Sequence, residues 1–317
     1  MTNSEHTVSA SATKILAQVR QAVVGKDPVL LWALASILAG GHILMEDIPG
    51  VGKTTMALGF SKTLGLQYSR MQFTPDVLPS DITGYSVLDP KTQETSYRPG
   101  AVLCNLFLAD ELNRATSRTQ SALLEAMEEG QVTVDGVSHA VPQPFIVIAT
   151  QNPTGAAGTQ LLPDSQMDRF MVKLSLGYPS PKDEVTMVLN RQSGNPLLNL
   201  SALMRREDLV AIQNAVEETY INDAVVQYIV DLIVATRNHE DILRGASPRA
   251  TLAVTAMAKA VARLRGRDYV VPGDVREVFC HTVAHRLILS PRAESQNKTA
   301  EQVLRQILDS IAAPKLR

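Results

Sequence analysis

The sequence contains few of the residues that stabilise small secreted folds. Its 317 residues include two cysteines, Cys104 and Cys280, and one tryptophan, and aromatic residues amount to 4%. Two cysteines cannot form a disulfide framework, so the composition indicates a reducing compartment, and we expect a cytoplasmic protein. The length suits one large α/β domain and one smaller domain, and a hydrophobic fraction of 45% is ordinary for a globular chain.

Net charge and apolar runs exclude two further classes of protein. The formal net charge is −2, so no strong positive field attracts nucleic acid or an anionic membrane. The longest apolar run, residues 28–44, is interrupted by a serine, two glycines and a histidine, which is too broken for a membrane span. The first residues lack the cationic start and apolar core of a signal peptide. We therefore expect no membrane insertion.

Short apolar runs alternate with helical patterns through the first half of the chain. The runs that predict buried strands are residues 42–45, 105–110, 145–150 and 170–176, and residues 68–73 are a further strand candidate. The helical patterns are residues 13–23, 28–38, 54–64 and 117–129. This alternation predicts an α/β fold with a mostly parallel sheet that helices cover on both faces.

The second half of the chain has a different pattern. After residue 178 only helical segments follow, with starts near Ser180, Ser201, Asn222, Ser247 and Asp274. We therefore predict a disordered N-terminal segment at residues 1–12, an α/β domain at 13–178 and a smaller all-α domain at 179–317.

Two segments between the predicted strands have distinct compositions. Residues 74–99 contain three prolines and read as a loop. Residues 117–120 (Ser-Arg-Thr-Gln) form a capping box that opens a helix, and this helix stops at Gly130. Residues 131–141 alternate around Asp135-Gly136, which predicts a β-hairpin.

The segment EDIPGVGKTT, residues 46–55, follows the first apolar run and opens a helix. Gly50 and Gly52 allow the backbone to turn tightly with its N–H groups facing an anion. Lys53 is then placed to reach the β- and γ-phosphates of a nucleotide, and Thr54 to give its hydroxyl to Mg²⁺. The standard pattern has glycine where this chain has Asp47, so the match is one residue short. The alternative, a turn that merely contains lysine, leaves a cation in the first helical turn against the helix dipole.

The segment NLFLADEL, residues 105–112, places two carboxylates at the end of an apolar strand. Asp110 is positioned to hold Mg²⁺ through water, and Glu111 to polarise an attacking water as general base. Two charges directly after a buried strand are costly unless a metal or a cation lies beside them. An exposed Asp-Glu pair at a strand end is the alternative interpretation.

Asn152 follows the predicted strand at residues 145–150. The carboxyl ends of parallel strands line the ligand crevice, so Asn152 can position the attacking water against the γ-phosphate. Its alternative role is to cap the turn before Pro153.

Two arginines complete the set of candidate residues. Arg249 lies in the first turn of a helix that Ser247 caps, again against the helix dipole, and phosphate contact would explain this placement. Arg169 lies just before a predicted strand, and its alternative role is a salt bridge to Asp164 or Asp168.

The motifs occur in an order that resembles one family. They are VVGKDPV (23–29), EDIPGVGKTT, QFTPDVLPSDITG (72–84), RPGAVLCNLFLADELNRA (98–115), ATQNP, LPDSQMDRF, SPRA and RDYVVPGDVREVFCHTVAHRL. Together they resemble the MoxR family of AAA+ ATPases over residues 13 to 290. The ordered series is far more specific than any one motif.

The resemblance implies a P-loop NTPase αβα core with a parallel five-stranded sheet, a helical lid, and ATP with Mg²⁺ between them. It makes Lys53 and Thr54 part of the Walker A motif, and Asp110 and Glu111 the Walker B motif. Asn152 matches sensor 1, Arg249 sensor 2, and Arg169 the arginine finger that acts on a neighbouring subunit. The implied ATP-binding set is Val24, Gly50, Val51, Gly52, Lys53, Thr54, Thr55 and Arg249, and the implied metal-binding set is Thr54 and Asp110.

The resemblance also implies partners. Family members form hexameric rings and act as chaperone-like factors on von Willebrand A domain proteins or metalloenzyme complexes. The hairpin at 131–141 matches the one inserted before sensor 1, and residues 74–99 would hold the insertion in the second helix. The loop PTGAAGTQ, residues 153–160, departs from the acidic or polar stretch usual in the family, which puts a client contact there in doubt.

Three other functions use the same motifs. A nucleic-acid motor would share the ATPase core, but residues 131–141 offer no lysine, arginine or aromatic ring for phosphates or bases. A magnesium-chelatase motor subunit shares the hairpin and the order of sites. A switch that binds ATP without hydrolysis leaves Glu111 and Asn152 without a role.

Overall fold

A five-stranded parallel sheet organises the first half of the chain. The structure, a computed structural model, describes residues 5–152, 162–192 and 194–315. The strands are β1 (Ile43–Glu46), β2 (Tyr68–Gln72), β3 (Gly84–Leu88), β4 (Thr95–Pro99), β5 (Leu106–Asp110), β6 (Gln131–Val134), β7 (Val137–Ala140), β8 (Ile146–Gln151), β9 (Val172–Leu174), β10 (Ile242–Arg244) and β11 (Ile288–Leu289).

Helices cover this sheet and form most of the second half. They are α1 (Glu5–Val19), α2 (Asp27–Leu38), α3 (Lys53–Thr63), α4 (Pro79–Thr83), α5 (Ser117–Glu129), α6 (Asp164–Met167), α7 (Pro181–Gln192), α8 (Arg206–Glu217), α9 (Asp223–Arg237), α10 (Pro248–Leu264), α11 (Pro272–Val283), α12 (Pro291–Ser295) and α13 (Ala300–Ser310). Among the described residues no helix combines the length and the apolar character needed to cross a membrane.

The main sheet has the strand order β2-β5-β8-β1-β9, and every neighbouring pair is parallel. The predicted α/β class and the five-stranded parallel sheet are therefore confirmed. Parallel pairing brings the carboxyl ends of β5, β8 and β1 together at one edge, in register at Met45 with Thr150 and at Ala109 with Ala149. Residues that follow these strands consequently share one side of the domain.

Alternate residues of the central strands face two separate apolar clusters. Leu106 and Leu108 pack with the cluster that contains α1, α2 and the C-terminal helices, whereas Phe107 and Ala109 pack with the cluster around α5. Because both faces are covered, β5 is buried at every position. This explains why the strand appears in the sequence as a continuous apolar run.

The prediction of a loop at residues 74–99 is wrong in part, because α4 and the antiparallel hairpin β3–β4 lie within it. Backbone segments approach closely at its base, where a Cβ on Gly100 would lie 2.1 Å from the carbonyl oxygen of Ile82. Tyr85 and Leu88 are exposed, so the hairpin lacks the buried alternating face that identifies a strand in a sequence.

The hairpin predicted at residues 131–141 is confirmed as β6–β7. Asp135 and Gly136 both have positive φ, at 50° and 79°, as a two-residue type I′ turn requires. Helix α5 before it ends at Gly130 as predicted, but its N-cap is Thr116 rather than Ser117, since the Thr116 side chain accepts a hydrogen bond from the Thr119 amide.

The predicted disorder of residues 1–12 is wrong for residues 5–12, because α1 begins at Glu5. Val8 and Ala12 continue the buried face of α1 and lie in the same apolar cluster as the C-terminal helices. The small polar residues between them gave the segment a disordered composition, although its apolar positions keep helical spacing.

The C-terminal half is helical, with one exception. Strands β10 and β11 form a two-stranded antiparallel sheet that the prediction of helices alone did not include. Helix α8 begins at Arg206, five residues after the predicted start at Ser201, whereas α7, α9, α10 and α11 begin within two residues of prediction. Helix α10 packs against α1 and α2, so the C-terminal helices share an apolar core with the first domain.

Two histidines, the half-buried His42 and the buried His285, are held as neutral bases. The Val147 amide donates to Nδ1 of His42 at 3.0 Å, which leaves Nε2 to donate to the Met127 carbonyl at 3.2 Å. His285 contacts the Phe170 carbonyl through Nε2 at 3.0 Å. Burial lowers the pKa of His42 to about 4 and that of His285 to about 3.

The lowered pKa values of His42 and His285 predict that the protein loses stability in mild acid. Between pH 6.5 and 4 the unfolded chain binds protons at both positions while the folded chain does not, so stability falls as pH falls. At pH 5.5 the combined loss relative to pH 7.5 is about 3 kcal/mol. Chemical denaturation at the two pH values measures it, and the variant His42→Asn should lose about 1.3 kcal/mol less than the wild type between them. An equal loss in the variant and the wild type would contradict this assignment.

Candidate functional site

The turn between β1 and α3 forms an open cradle of backbone groups. Gly50 and Gly52 have φ values of 86° and 103°, which side-chain-bearing residues rarely adopt, and Gly52 is the residue before the first turn of α3. A Cβ added at either glycine would meet no atom within 4 Å, so the space beside the turn is free. The N-terminus of α3 points its unpaired N–H groups and its positive dipole end into this space, which suits an anion.

Lys53 begins α3 and folds back over the turn. Its Nζ donates to the backbone carbonyls of Asp47 at 2.8 Å and Ile48 at 3.2 Å. Burial lowers the pKa of Lys53, and the charges of Asp47, Asp110 and Glu111 oppose that shift. The ammonium group therefore shares one cavity with the carboxylates of Asp110 and Glu111 at the end of β5.

Asp110, the last residue of β5, is held from two sides. Arg70 Nη2 donates to its Oδ2 at 2.7 Å, and the Thr150 hydroxyl donates to its Oδ1 at 2.7 Å. The Thr54 hydroxyl lines the same cavity. Hydroxyl and carboxylate oxygens are the ligands that Mg²⁺ prefers, so this donor set fits the metal implied by the sequence.

Glu111 has an unusual backbone conformation, with φ at 56°. Its amide donates to the Thr150 hydroxyl at 2.8 Å, and its carboxylate accepts from Asn152 Nδ2 at 3.0 Å and from Arg114 Nη1 at 2.9 Å. A side-chain-bearing residue in the left-handed region is strained, and such strain concentrates at functional sites. The geometry turns the Glu111 carboxylate toward Asn152 rather than along the strand.

The candidate residues line two adjoining cavities. The first, called the polar cavity, measures about 310 Å³ and is lined by Pro49, Gly50, Gly52, Lys53, Thr54, Thr55, Arg70, Asp110, Glu111 and Asn152. The second, called the apolar cavity, measures about 420 Å³ and includes Val24, Val51, Tyr178 and Met187. The two share Pro49, Gly50, Gly52 and Thr55 in their linings. One polar and one apolar compartment on either side of a glycine turn suit the phosphates and the base of a nucleotide.

Arg169 and Arg249 lie in a third cavity of about 370 Å³, called the arginine cavity. The Ser247 side chain caps α10 by accepting from the Arg249 amide at 3.1 Å, as predicted. Both guanidinium groups pair with the carboxylate of Glu128, at 3.2 Å for Arg169. Among the described lining residues, neither arginine belongs to the polar or the apolar cavity.

The two aspartates considered as partners of Arg169 each pair with a different arginine. Asp168 pairs with Arg286 at 2.5 Å, and Asp164 pairs with Arg244 at 2.5 Å. The structure therefore groups the predicted residues into two sets, and it leaves Arg169 and Arg249 partly exposed, at 29% and 48% of their side-chain surfaces. The loop predicted to depart from the family pattern, residues 153–160, lies outside the described residues.

Comparisons with known proteins agree with this arrangement. Residues 42–172 match the model of the ATPase family associated with various cellular activities (AAA), and residues 234–307 match that of the AAA lid domain. Chaperone MoxR1 of Mycobacterium tuberculosis is 37% identical over 308 residues, which cover 94% of this chain and 81% of that protein. The chain belongs to the MoxR family of AAA+ ATPases.

Two further relatives span almost the whole of this MoxR-family chain. Uncharacterized protein YeaC of Bacillus subtilis is 42% identical over 304 residues, covering 96% of this chain and 95% of that protein. A crystal structure of a candidate ATPase from Cytophaga hutchinsonii superimposes with a TM-score of 0.91 at 35% identity, covering 98% and 97% of the two chains. The αβα core and the helical lid expected of the family are therefore confirmed.

Three residues of this MoxR-family site were not predicted from the sequence. Thr150 contacts both Asp110 and Glu111, Arg70 pairs with Asp110, and Arg114 pairs with Glu111. Of these three residues, only Arg114 could have been predicted from the sequence. It lies three residues after Glu111, and residues of opposite charge at this spacing meet on one side of a helical turn. Thr150 and Arg70 reach the site from other strands.

The contacts of Thr150 generate a prediction. Thr150→Val keeps the shape of this buried side chain but removes both hydrogen bonds, which leaves an Asp110 oxygen and the Glu111 amide unpaired. We expect ATP turnover to fall by about 10- to 100-fold and the melting temperature to fall by several degrees, because two groups lose a hydrogen-bond partner. Steady-state phosphate release measures the effect, and Thr150→Ser, which keeps the hydroxyl, should retain most of the activity. Wild-type turnover in Thr150→Val would rule out this positioning role.

Proposed function

We propose that the chain hydrolyses ATP to ADP and phosphate with Mg²⁺, and that it uses the energy to remodel partner proteins. The observation that carries the proposal is that Lys53, Thr54, Asp110, Glu111 and Asn152 line one polar cavity beside the glycine turn. Three elements, α3, β5 and β8, deliver these side chains to one place. The proposed division into a core at residues 13–178 and a lid at 179–317 follows the change from the parallel sheet to helices.

Each residue has a role that its contacts support. When bound, Mg²⁺ would neutralise phosphate charge, and the Thr54 hydroxyl and Asp110 carboxylate are the groups that would hold it. Lys53 exchanges its backbone carbonyl partners for phosphate oxygens, and the N-terminus of α3 adds its dipole. Glu111 accepts a proton from the attacking water, while Asn152 and Arg114 fix the orientation of its carboxylate.

We assign Arg169 and Arg249 to the nucleotide of a neighbouring subunit in a ring, which we propose is hexameric. Both arginines line the arginine cavity and, as far as the described residues go, neither lines the polar or the apolar cavity. In a ring each subunit presents one face to the next subunit's opposite face, so residues of the two faces meet at every interface. An arginine supplied in this way stabilises the charge that develops during phosphoryl transfer.

The relatives support a chaperone-like role, since one of them is named Chaperone MoxR1. We propose that the client is a von Willebrand A domain protein or a metalloenzyme subunit. A nucleic-acid substrate is disfavoured, because β6–β7 carries neither lysine nor arginine at residues 131–141. A cytoplasmic location is consistent with Cys104 and Cys280, which are both unpaired.

The variant Glu111→Gln tests the proposed chemistry. The amide keeps the size of the side chain but cannot accept the proton, so turnover should fall by about 100-fold or more while ATP still binds. Phosphate release and equilibrium binding of ATP measure the two quantities separately. As a matched control, Glu218→Gln at the exposed end of α8 should leave both unchanged. Undiminished turnover in Glu111→Gln would remove Glu111 from its role.

The same variant tests the proposed client class. Loaded with ATP and mixed with native extract, Glu111→Gln should retain partner proteins that the ADP-loaded protein releases. Retention of a von Willebrand A protein or an enzyme subunit supports remodelling. Retention of nucleic acid instead, with turnover stimulated by single-stranded DNA in a salt-dependent manner, would replace that part of the proposal.

A further inference from the structure

Asp47 is the one residue of the glycine turn that departs from the standard nucleotide-binding pattern. Its backbone lies outside the positive-φ region that Gly50 and Gly52 adopt, so no glycine is required at this position. Its side chain is buried, with only 4% of the residue surface exposed. A buried carboxylate is costly unless hydrogen bonds satisfy it, so its partners indicate why it is there.

Three donors from one segment satisfy the Asp47 carboxylate. Its Oδ1 accepts from the Ser175 hydroxyl at 2.7 Å and from the Gly177 amide at 2.9 Å, and its Oδ2 accepts from the Leu176 amide at 2.6 Å. Hydrogen bonds to an ionised carboxylate are among the stronger ones in proteins. Asp47 therefore fixes the segment that follows β9, called here the linker (residues 175–180).

The backbone carbonyl of Asp47 contacts Lys53 rather than the linker. Its carbonyl accepts from Lys53 Nζ at 2.8 Å, the same ammonium group that is placed to reach a phosphate. One residue thus contacts the phosphate-binding lysine through its backbone and the linker through its side chain. The carbon of the carbonyl that Lys53 contacts lies only three bonds from the carboxylate carbon that holds the linker.

The linker forms part of the apolar cavity. Tyr178 and Pro179 line it, and α7, which begins directly after the linker, adds Met187 and Val188. No residue of α7 is buried, although all of its side chains are described, so core packing does not hold this helix in place. Besides the Asp47 contacts, Lys26 Nζ donates to the Tyr178 carbonyl at 2.7 Å. The shape of the apolar cavity consequently depends on how the linker is held, by these polar contacts and by the buried side chain of Leu176.

We propose that Asp47 is a positioning residue that couples the phosphate-binding turn to the linker and so shapes the pocket for the nucleotide base. This inference rests on the proposed function, since it assigns the apolar cavity to the base of ATP. A glycine at position 47, as in the standard pattern, has no side chain and could not make these hydrogen bonds with the linker. Restoring the consensus should therefore weaken nucleotide binding rather than improve it.

Amide hydrogen exchange on the full chain without nucleotide tests the contact itself. In Asp47→Gly the amides of Leu176 and Gly177 lose their acceptor and should exchange about tenfold faster or more, while the amides of β5 keep their wild-type rates. Unchanged rates at Leu176 and Gly177 would overturn the inference. Faster exchange throughout β5 as well would show general destabilisation of Asp47→Gly. In that case Asp47→Asn replaces it, both in this exchange experiment and in the binding experiment below.

Calorimetric binding of ADP and of inorganic pyrophosphate tests the coupling. In Asp47→Gly we expect ADP affinity to fall about tenfold or more, because the base pocket loses its support. Pyrophosphate, which has no base, should bind equally well or more tightly, because a negative charge has left the anion site. If Asp47 only shaped the glycine turn, Asp47→Gly would instead lower the affinities for ADP and for pyrophosphate together.

Two matched variants separate charge from contact. Asp47→Asn removes the charge but keeps one acceptor oxygen, so pyrophosphate should behave as in Asp47→Gly and ADP affinity should be intermediate. Ser175→Ala keeps the charge and removes one donor, so it should leave pyrophosphate unchanged and lower ADP affinity less than Asp47→Gly does. Equal weakening of both ligands, or no change in ADP affinity, would overturn the coupling while leaving the proposed function intact. A wild-type protein that binds neither ligand would overturn the proposed function and this inference with it.

Discussion

The parallel pairing of β5, β8 and β1 is the constraint on which the rest of the site depends. It places the ends of three strands side by side, so that Asp110, Thr150 and the glycine turn before Lys53 become neighbours. The Thr150 hydroxyl then bridges the two carboxylate residues of the neighbouring strand. Without this pairing, the two acidic residues and the glycine turn would be separate local features with no shared chemistry.

The packing of the C-terminal helices sets a second constraint, which concerns the two arginines. Helix α10 packs against α1 and α2, and its residues Ala250, Val254 and Met257 belong to the apolar cluster shared with the core. Arg249 at the start of α10 therefore meets Glu128 and shares the arginine cavity with Arg169. This packing holds the start of α10 beside the arginine cavity, and it is the reason why we propose that Arg249 acts on a neighbour's nucleotide.

The sequence predicted those parts of the molecule whose signals are local. Apolar runs identified four of the five strands of the main sheet, Asp135-Gly136 identified one hairpin, and the order of the motifs singled out Lys53 and Glu111, which line one cavity in the structure. The hairpin β3–β4 was missed because its side chains are largely exposed and leave no apolar pattern. The partners of the site could not be predicted, since Ser175 contacts Asp47 from 128 residues away and Arg70 contacts Asp110 from 40. Such contacts exist only once the strand order is known.

The central claim is that each active site is completed by two subunits, and mixing two inactive variants tests it most directly. Lys53→Ala lacks a phosphate-binding lysine but keeps Arg169, whereas Arg169→Ala has the reverse defect. We predict that each is inactive alone and that an equimolar mixture, after subunit exchange, recovers about a quarter of wild-type turnover, because one interface in four combines the intact halves. Mixing Lys53→Ala with Glu111→Gln, whose defects lie in the same half, should recover none. A Lys53→Ala and Arg169→Ala mixture that forms joint rings yet shows only the sum of its separate activities would contradict the account.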